Sequence, residues 1–545
     1  MKKIYNKIKV ATLVVMATMM MASCSEWLEL YPEGETLLED YWKSADDIES
    51  VLASCYLSMM DSKYLERAIV WGELRSDNME KTKHTKGELI DILDVNIQAT
   101  NSYCDWAIFY ETINLCNTVI HYAPQVMEED KNLSTSNMEA YRAEARAIRA
   151  MSYFYLVRTF GDVPMVMNPT IDDTDGFAIA KSSADSVLNV VVDDLREALM
   201  YAQSSFGSYR QDYNKSRFTK QSIRALLADI LLWQGRYQEC VDVCDEFLAY
   251  NNKQMLTARS GYYELTLMSV LLPMFTRQAD YTNEVIFATA FQPSGKEASF
   301  VGLYGHLAKN PQISASQKLY YQTMFASTDE RRYLAYVSRT ADGDYPFYQI
   351  PKFIADGYEL VGGVGGASAA NYTLAPNKSY EWIFYRLPDI YLMRAEALVE
   401  LAATKSTNDE INSYLNSAID MVNNTYMRAN VDLRATDSLS IKEYFSVDLM
   451  RELVMDERQR EFMFEGKRWF DLLRQARRFN TDDYSVSALE DKRFPNSSSQ
   501  VALSKMSTMD ALYMPIYQTE IENNDKLVQN PFYQMDETTE KSENK

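Results

Sequence analysis

The densest concentration of groups able to exchange protons lies in DERQREFMFEGKRWFDLLRQARR, residues 456–478. Glu465 and Asp471 flank a turn that also holds Gly466, Arg468 and Trp469. Two carboxylates across a cleft are the apparatus of general acid–base hydrolysis, above all of glycosidic bonds. Spacing alone does not put this pair across a cleft. Charges so closely interleaved beside a tryptophan read instead as ion pairs that staple two helices. Other reactive types are thin. His84, His121 and His306 are the three histidines, scattered without metal-ligand spacing. The six cysteines, at 24, 55, 104, 116, 240 and 244, show neither zinc spacing nor a Cys-x-x-Cys. Cys240 and Cys244 lie one helical turn apart on an apolar stripe, where helix geometry disfavours a disulfide, so buried free thiols are expected. The glycine-rich VGGVGGASAA (361–370) lacks the Lys-Ser/Thr of a phosphate loop and any Gly-x-Gly-x-x-Gly, and reads as a flexible loop. No cofactor is expected.

Cys24 has a chemistry of its own. Lys2, Lys3, Lys7 and Lys9 form a basic start, and Val10 to Met21 an apolar run too short to span a membrane as a helix. The run ends in Ala22-Ser23-Cys24, small residues before a cysteine, which resembles the bacterial lipobox whose thiol is diacylated and becomes the new N-terminus. Residues 1–23 are therefore expected to be a lipoprotein signal peptide, with acylated Cys24 tethering the rest to membrane lipid.

The elements that must position any functional side chain are mostly helices. Hydrophobic residues make up 47% of the 545, ample for a large core. A formal charge of -22 argues against nucleic acid as a partner. In EAYRAEARAIRAMSYFYLVRTFGDVP (139–164), Ala143, Ala147, Ala150 and Phe154 recur at helical spacing, and Arg142, Arg146 and Arg149 form a separate stripe. The alanines admit a neighbouring helix closely, Gly161 can cap the end, and Pro164 prevents continuation. Ser44 with Asp47 has the offset of a capping box. Helices are expected from Trp106, over 185–201, and as a tetratricopeptide-like hairpin over 222–248 with Gly235 at its turn. Trp382 to Tyr385 read as a short strand, Pro388 as the first turn of a helix, and YLMRAEALVEL (391–401) as the partner of a helix around 411–421. From about 250 to 380 periodicity fades and Tyr, Gly, Ser and Asn rise. Trp71, Trp106, Trp233 and Trp469 sit in helical contexts and are expected in the core.

AEARAIRAMSYFYLVRTFGDVP, DIYLMRAEALVE, ERQREFMFEGKRWFDLLR and the tail YMPIYQTEIENNDKLVQNPFY, taken together and in this order, resemble the SusD/RagB family of Bacteroidota outer-membrane nutrient-binding lipoproteins. The tail departs in Asn524-Asp525, where the family often has Asn-Pro, and in Phe532, where a Gly is usual. The resemblance implies a mostly all-α fold. Four tetratricopeptide-like helix pairs would form a right-handed superhelical scaffold, with an irregular, loop-rich lobe carrying short strands. Residues 24–545 would be a single SusD-like domain, with helix pairs at about 104–250 and 386–478 and the lobe at about 250–385 and 479–545.

It also implies a non-enzymatic protein at the outer membrane, lipid-anchored and facing the exterior, that captures oligosaccharide or polysaccharide for a SusC-like TonB-dependent transporter. A peptide or glycopeptide ligand is the alternative within the fold; a lipid-anchored glycoside hydrolase and a bare repeat scaffold are the readings outside it. Sugar recognition needs flat apolar faces for the ring C–H groups and planar polar groups for hydroxyls. Position nominates Asp77, Asn101 and Tyr103 before the Trp106 helix, with Tyr304, Tyr320 and Tyr321 in the lobe. The ligand is expected between the 77–103 and 300–325 segments.

Overall fold

Ser44 opens the first helix, α1 (Ala45–Met59), through the capping box read from the sequence: its backbone N–H and hydroxyl both donate to Asp47 Oδ2, at 2.8 and 2.7 Å. Ile48, Leu52, Cys55 and Met59 recur at helical spacing and are buried. The computed structural model describes residues 41–170, 178–207, 212–256, 262–276, 282–289, 300–304, 311–316, 319, 324–335, 337–339, 347–361, 369–375, 381–479, 504–506 and 508–534. Among the described residues, 41–43 belong to a separate compact unit, in which the rings of Tyr41 and Trp42 meet edge to face at 5.4 Å.

Helices α2 (Ala107–Glu129) and α3 (Thr135–Phe160) form the first hairpin, and α4 (Ala184–Tyr201) packs on α3. The second hairpin is α5 (Lys220–Trp233) with α6 (Tyr237–Leu256), the third α7 (Leu387–Ala402) with α8 (Asn408–Ala429), and the fourth α9 (Val447–Phe462) with α10 (Arg468–Arg478). Packing runs on between hairpins, α4 on α5 and α6 on α7, so each buries a face that it cannot bury alone and the pairs stack into a superhelical scaffold. The ends are set locally. Ser134, Ser183, Thr219, Thr407 and Ser446 each accept a backbone N–H of the turn they cap. Pro388 stands in the first turn of α7, where no N–H is needed.

Folding settles where the arginine stripe of α3 goes, and it changes one expectation. From Ala143 to Phe160 every residue is buried, because α4 supplies acids opposite it: Arg149 holds Asp194 through two bonds at 3.0 and 2.6 Å, and Arg146 reaches Glu197 at 2.7 Å. The expectation that changes is the reading of 361–370 as a loop, which is corrected at both ends. Strands β6 (Ala355–Val361) and β7 (Ala369–Leu374) pair antiparallel there, with Tyr358 opposite Tyr372; residues 362–368 lie outside the described residues.

The strands are short. β1 (Met79–Lys81), β3 (Ile313–Ala315), β5 (Phe347–Gln349) and β4 (Val337–Arg339) form a four-stranded antiparallel sheet in that order, and β2 (Val285–Ala288) pairs with β8 (Ile383–Arg386). Trp71, Trp106, Trp233 and Trp469 are all buried, as are Phe275 and Trp382. Cys55, Cys104, Cys116, Cys240 and Cys244 are buried free thiols.

Gly161 and Gly235 have φ of +75° and +73°, which side-chain-bearing residues rarely adopt. At position 235 the neighbouring contact is only the flexible Tyr237 ring tip at 3.6 Å, so the cost of a substitution is conformational. Gly235→Val is expected to destabilise by about 1–3 kcal/mol in urea titration. An unchanged midpoint would count against it.

Candidate functional site

The acid–base option is settled by packing. Glu465 accepts from Arg386 Nε and Nη2 at 2.9 and 2.8 Å and from Lys352 Nζ at 2.8 Å. Burial alone would raise its pKa; the Arg386 and Lys352 charges overcome that and hold it at about 2. Asp471 is gripped by Arg458 at 2.9 and 2.8 Å and by Arg474 at 2.8 Å. Both carboxylates are enclosed and ionised, so neither can deliver a proton to a substrate. The helix-stapling reading of this turn holds.

The lobe edge is built on a second set of buried polar groups. Glu73 lies in the π-helical turn Val70–Leu74, where it accepts from Asn78 Nδ2 at 2.7 Å and from the backbone N–H groups of Phe464, Gly466 and Lys467 at 3.1, 3.0 and 3.2 Å. Burial pushes its carboxyl up to about 7 against those hydrogen bonds. Asn78 Oδ1 accepts from Gln459 at 2.8 Å, and its carbonyl from the Ser316 N–H at 2.8 Å. The start of β1 is thus fixed to the α9–α10 hairpin.

β1 and β3 then run side by side, with Met79 opposite Ala315, Glu80 opposite Ser314 and Lys81 opposite Ile313. Thr82 and Thr85 extend the contact, their hydroxyls donating to the carbonyls of Pro311 and Gln312 at 2.6 Å each. The exposed rim is polar and basic: Lys81, which pairs with Asp94 at 3.0 Å, then Lys83 and Lys86, with His84 half-buried. A three-residue strand carries no usable period, so nothing in the sequence of 79–81 marks it as a strand. The Thr82/Thr85 spacing, that of a side-chain-capped turn, was the signal available there.

The nominated side chains fall out as follows. Asp77 is bound by Arg468 through two bonds at 2.8 and 2.9 Å and is buried. Asn101 accepts from the Tyr103 N–H at 3.0 Å and donates to the Glu88 carbonyl at 2.9 Å. Tyr103 is 8% exposed, and its carbonyl receives the Trp71 indole at 2.8 Å. Tyr304 is fully enclosed: its hydroxyl donates to the Phe464 carbonyl at 2.7 Å and its ring stacks on Phe353 at 4.7 Å. These four side chains are engaged inside the protein and frame the lobe edge. Tyr320 and Tyr321, which follow Leu319, lie outside the described residues, as does Cys24.

This arrangement, a helical-repeat body with a stranded lobe anchored on its last hairpin, can be compared with known proteins. The SusD family model matches residues 284–533, and a second, described as starch-binding associating with outer membrane, matches residues 26–232. The chain belongs to the SusD/RagB family. SusD-like protein P38 of Formosa agariphila is 24% identical over 498 residues, covering 87% of this chain and 92% of its own. A SusD-like protein of Bacteroides ovatus is 22% identical, covering 86% of this chain and 83% of its own. A SusD homolog from Bacteroides thetaiotaomicron has the same fold, with a TM-score of 0.69 at 18% identity, over 92% of this chain and all of its own.

As a SusD-family protein it is a non-catalytic, glycan-binding outer-membrane lipoprotein that works with a SusC-like TonB-dependent transporter and faces the cell exterior. Among the described residues no helix is long and apolar enough to cross a membrane.

Proposed function

We propose that this SusD-family protein captures glycan at the lobe edge, between the 77–103 and 300–325 segments, and hands it to its transporter. The observation that carries the reading is the pairing of β1 with β3, which sets those two segments against each other on a base locked by Asp77–Arg468 and Asn78–Gln459. Recognition tends to lie on loops held by a rigid scaffold, and here the scaffold is the α9–α10 hairpin. The starch-binding description of the N-terminal match supports a carbohydrate ligand. Residues 24–545 act as one SusD-like domain, with 1–23 removed and Cys24 acylated.

Tyr320 and Tyr321 supply the stacking faces. Loss of such a ring weakens sugar binding by about 1–2 kcal/mol, roughly tenfold. Calorimetry of the mature protein against a panel of neutral polysaccharides is expected to show that loss in the Tyr320→Ala/Tyr321→Ala double variant, with the melting curve unchanged. Full affinity in a folded double variant would move the site away from this edge. For the anchor, mass spectrometry of the membrane-extracted protein is expected to find an N-terminal acylated Cys24. An unmodified thiol there would remove the tether.

A further inference from the structure

We propose a second sugar pocket, distinct from the lobe edge and built on the helical scaffold, that takes one neutral pyranose ring. It rests on the glycan reading above. The cavity, about 380 Å³, opens between α1, α3 and the segment joining α4 to α5, a size suited to a small ligand. Its floor is preorganised. Arg217 donates to both oxygens of Glu144 at 2.8 Å each and to Glu49 at 3.1 Å, while Glu144 also accepts from the Tyr56 hydroxyl at 2.6 Å. The Arg217 guanidinium lies over the rings of Phe206, at 4.8 Å, and Tyr213, at 5.4 Å, and Phe206 N–H is fixed to Asn214 Oδ1 at 2.7 Å. Tyr141 lines the same cavity, a third aromatic side chain beside Phe206 and Tyr213.

The ligand class follows from charge. Phe206 and Tyr213 already face the Arg217 cation, so a ligand ammonium placed there would meet like charge. Glu49 and Glu144 outnumber Arg217, which disfavours a carboxylate or sulfate. What remains is a neutral ligand with an apolar face and many hydroxyls. The wall supplies matching planar groups: Asn137 and Gln203 line it, and their side-chain amides take no hydrogen-bond partner among the described residues. A half-buried Tyr141 ring offers the stacking face.

The test uses the mature protein carrying Tyr320→Ala/Tyr321→Ala, so that the lobe edge is silenced. Saturation-transfer NMR with methyl glucoside, galactoside and mannoside is expected to show binding of at least one hexoside. That signal should fall at least fivefold on adding Asn137→Ala/Gln203→Ala, two exposed positions, with the melting curve unchanged. Methyl glucuronide and glucosamine should give no comparable signal. The proposal is overturned if no hexoside binds in the lobe-silenced protein, if the added changes leave the signal intact, or if the charged sugars bind equally well. A wild-type protein that binds no neutral polysaccharide would sink the glycan reading itself, and the pocket with it; wild-type binding abolished by the lobe changes alone would sink only the pocket.

Discussion

Arg386→Met is expected to lower the unfolding free energy by about 3–5 kcal/mol, the range found when one partner of a buried ion pair is removed. Arg386 joins the end of β8 to the start of α7, and its side chain is 1% exposed. Its donors all point at fixed acceptors: Nε and Nη2 to Glu465 at 2.9 and 2.8 Å, Nη1 to Glu284 at 2.7 Å and Glu461 at 2.5 Å, Nη2 to the Glu461 carbonyl at 2.7 Å. Glu461 is shared further with Arg428 and Arg331, and Glu457 with Arg331 and Arg460. Burial would raise the pKa of Glu461, but the surrounding Arg428, Arg386 and Arg331 charges hold it well below the usual carboxylate range. With Arg386 gone, Glu284, Glu461 and Glu465 would remain buried with too little positive charge, and water cannot reach them. Arg386→Lys should recover little, since one ammonium cannot span three carboxylates. Urea titration with a common slope measures the loss; a shift under 1 kcal/mol would mean the network does not hold the lobe to the repeats.

Gly72→Ala is expected to cost about 3 kcal/mol or more. A Cβ at position 72 would lie 1.8 Å from the Gly466 carbonyl oxygen and 2.6 Å from its carbon, and both are backbone atoms. Neither side can retreat. Gly466 sits at φ +71° with its N–H donating to Glu73, and Gly72 belongs to the π-helical turn that carries Glu73. The methyl group would therefore push apart the latch that positions β1. Gly87→Ala is the control, because a Cβ there meets nothing within 4 Å. Equal unfolding midpoints for the two variants would contradict the close approach of Gly72 to Gly466.

The helices were largely legible because their signals act over a few residues. Ser44 and Asp47 cap one turn together, Gly235 takes a backbone conformation that few other residues accept, and apolar spacing in 185–201 marks a face whatever it packs against. The lobe was not. β1 and β3 are three residues each and lie more than two hundred residues apart, so their pairing has no local trace. Nor does a tyrosine announce its surroundings: Tyr304 and Tyr358 stand in equally irregular sequence, yet one is enclosed under Phe464 and the other half-buried.

Sequence alone determined the hairpin scaffold, the family and the lipobox-like Cys24, since each rests on residues adjacent in the chain or on motifs in a fixed order. Only the tertiary structure decided which polar groups are available to a ligand. Asp77 and Tyr304 have the right chemistry for binding sugar, but Arg468, 391 residues from Asp77, and the Phe464 carbonyl, 160 residues from Tyr304, occupy them first. A buried polar group must find a partner, and that partner comes from wherever the fold happens to bring one, which no local pattern encodes.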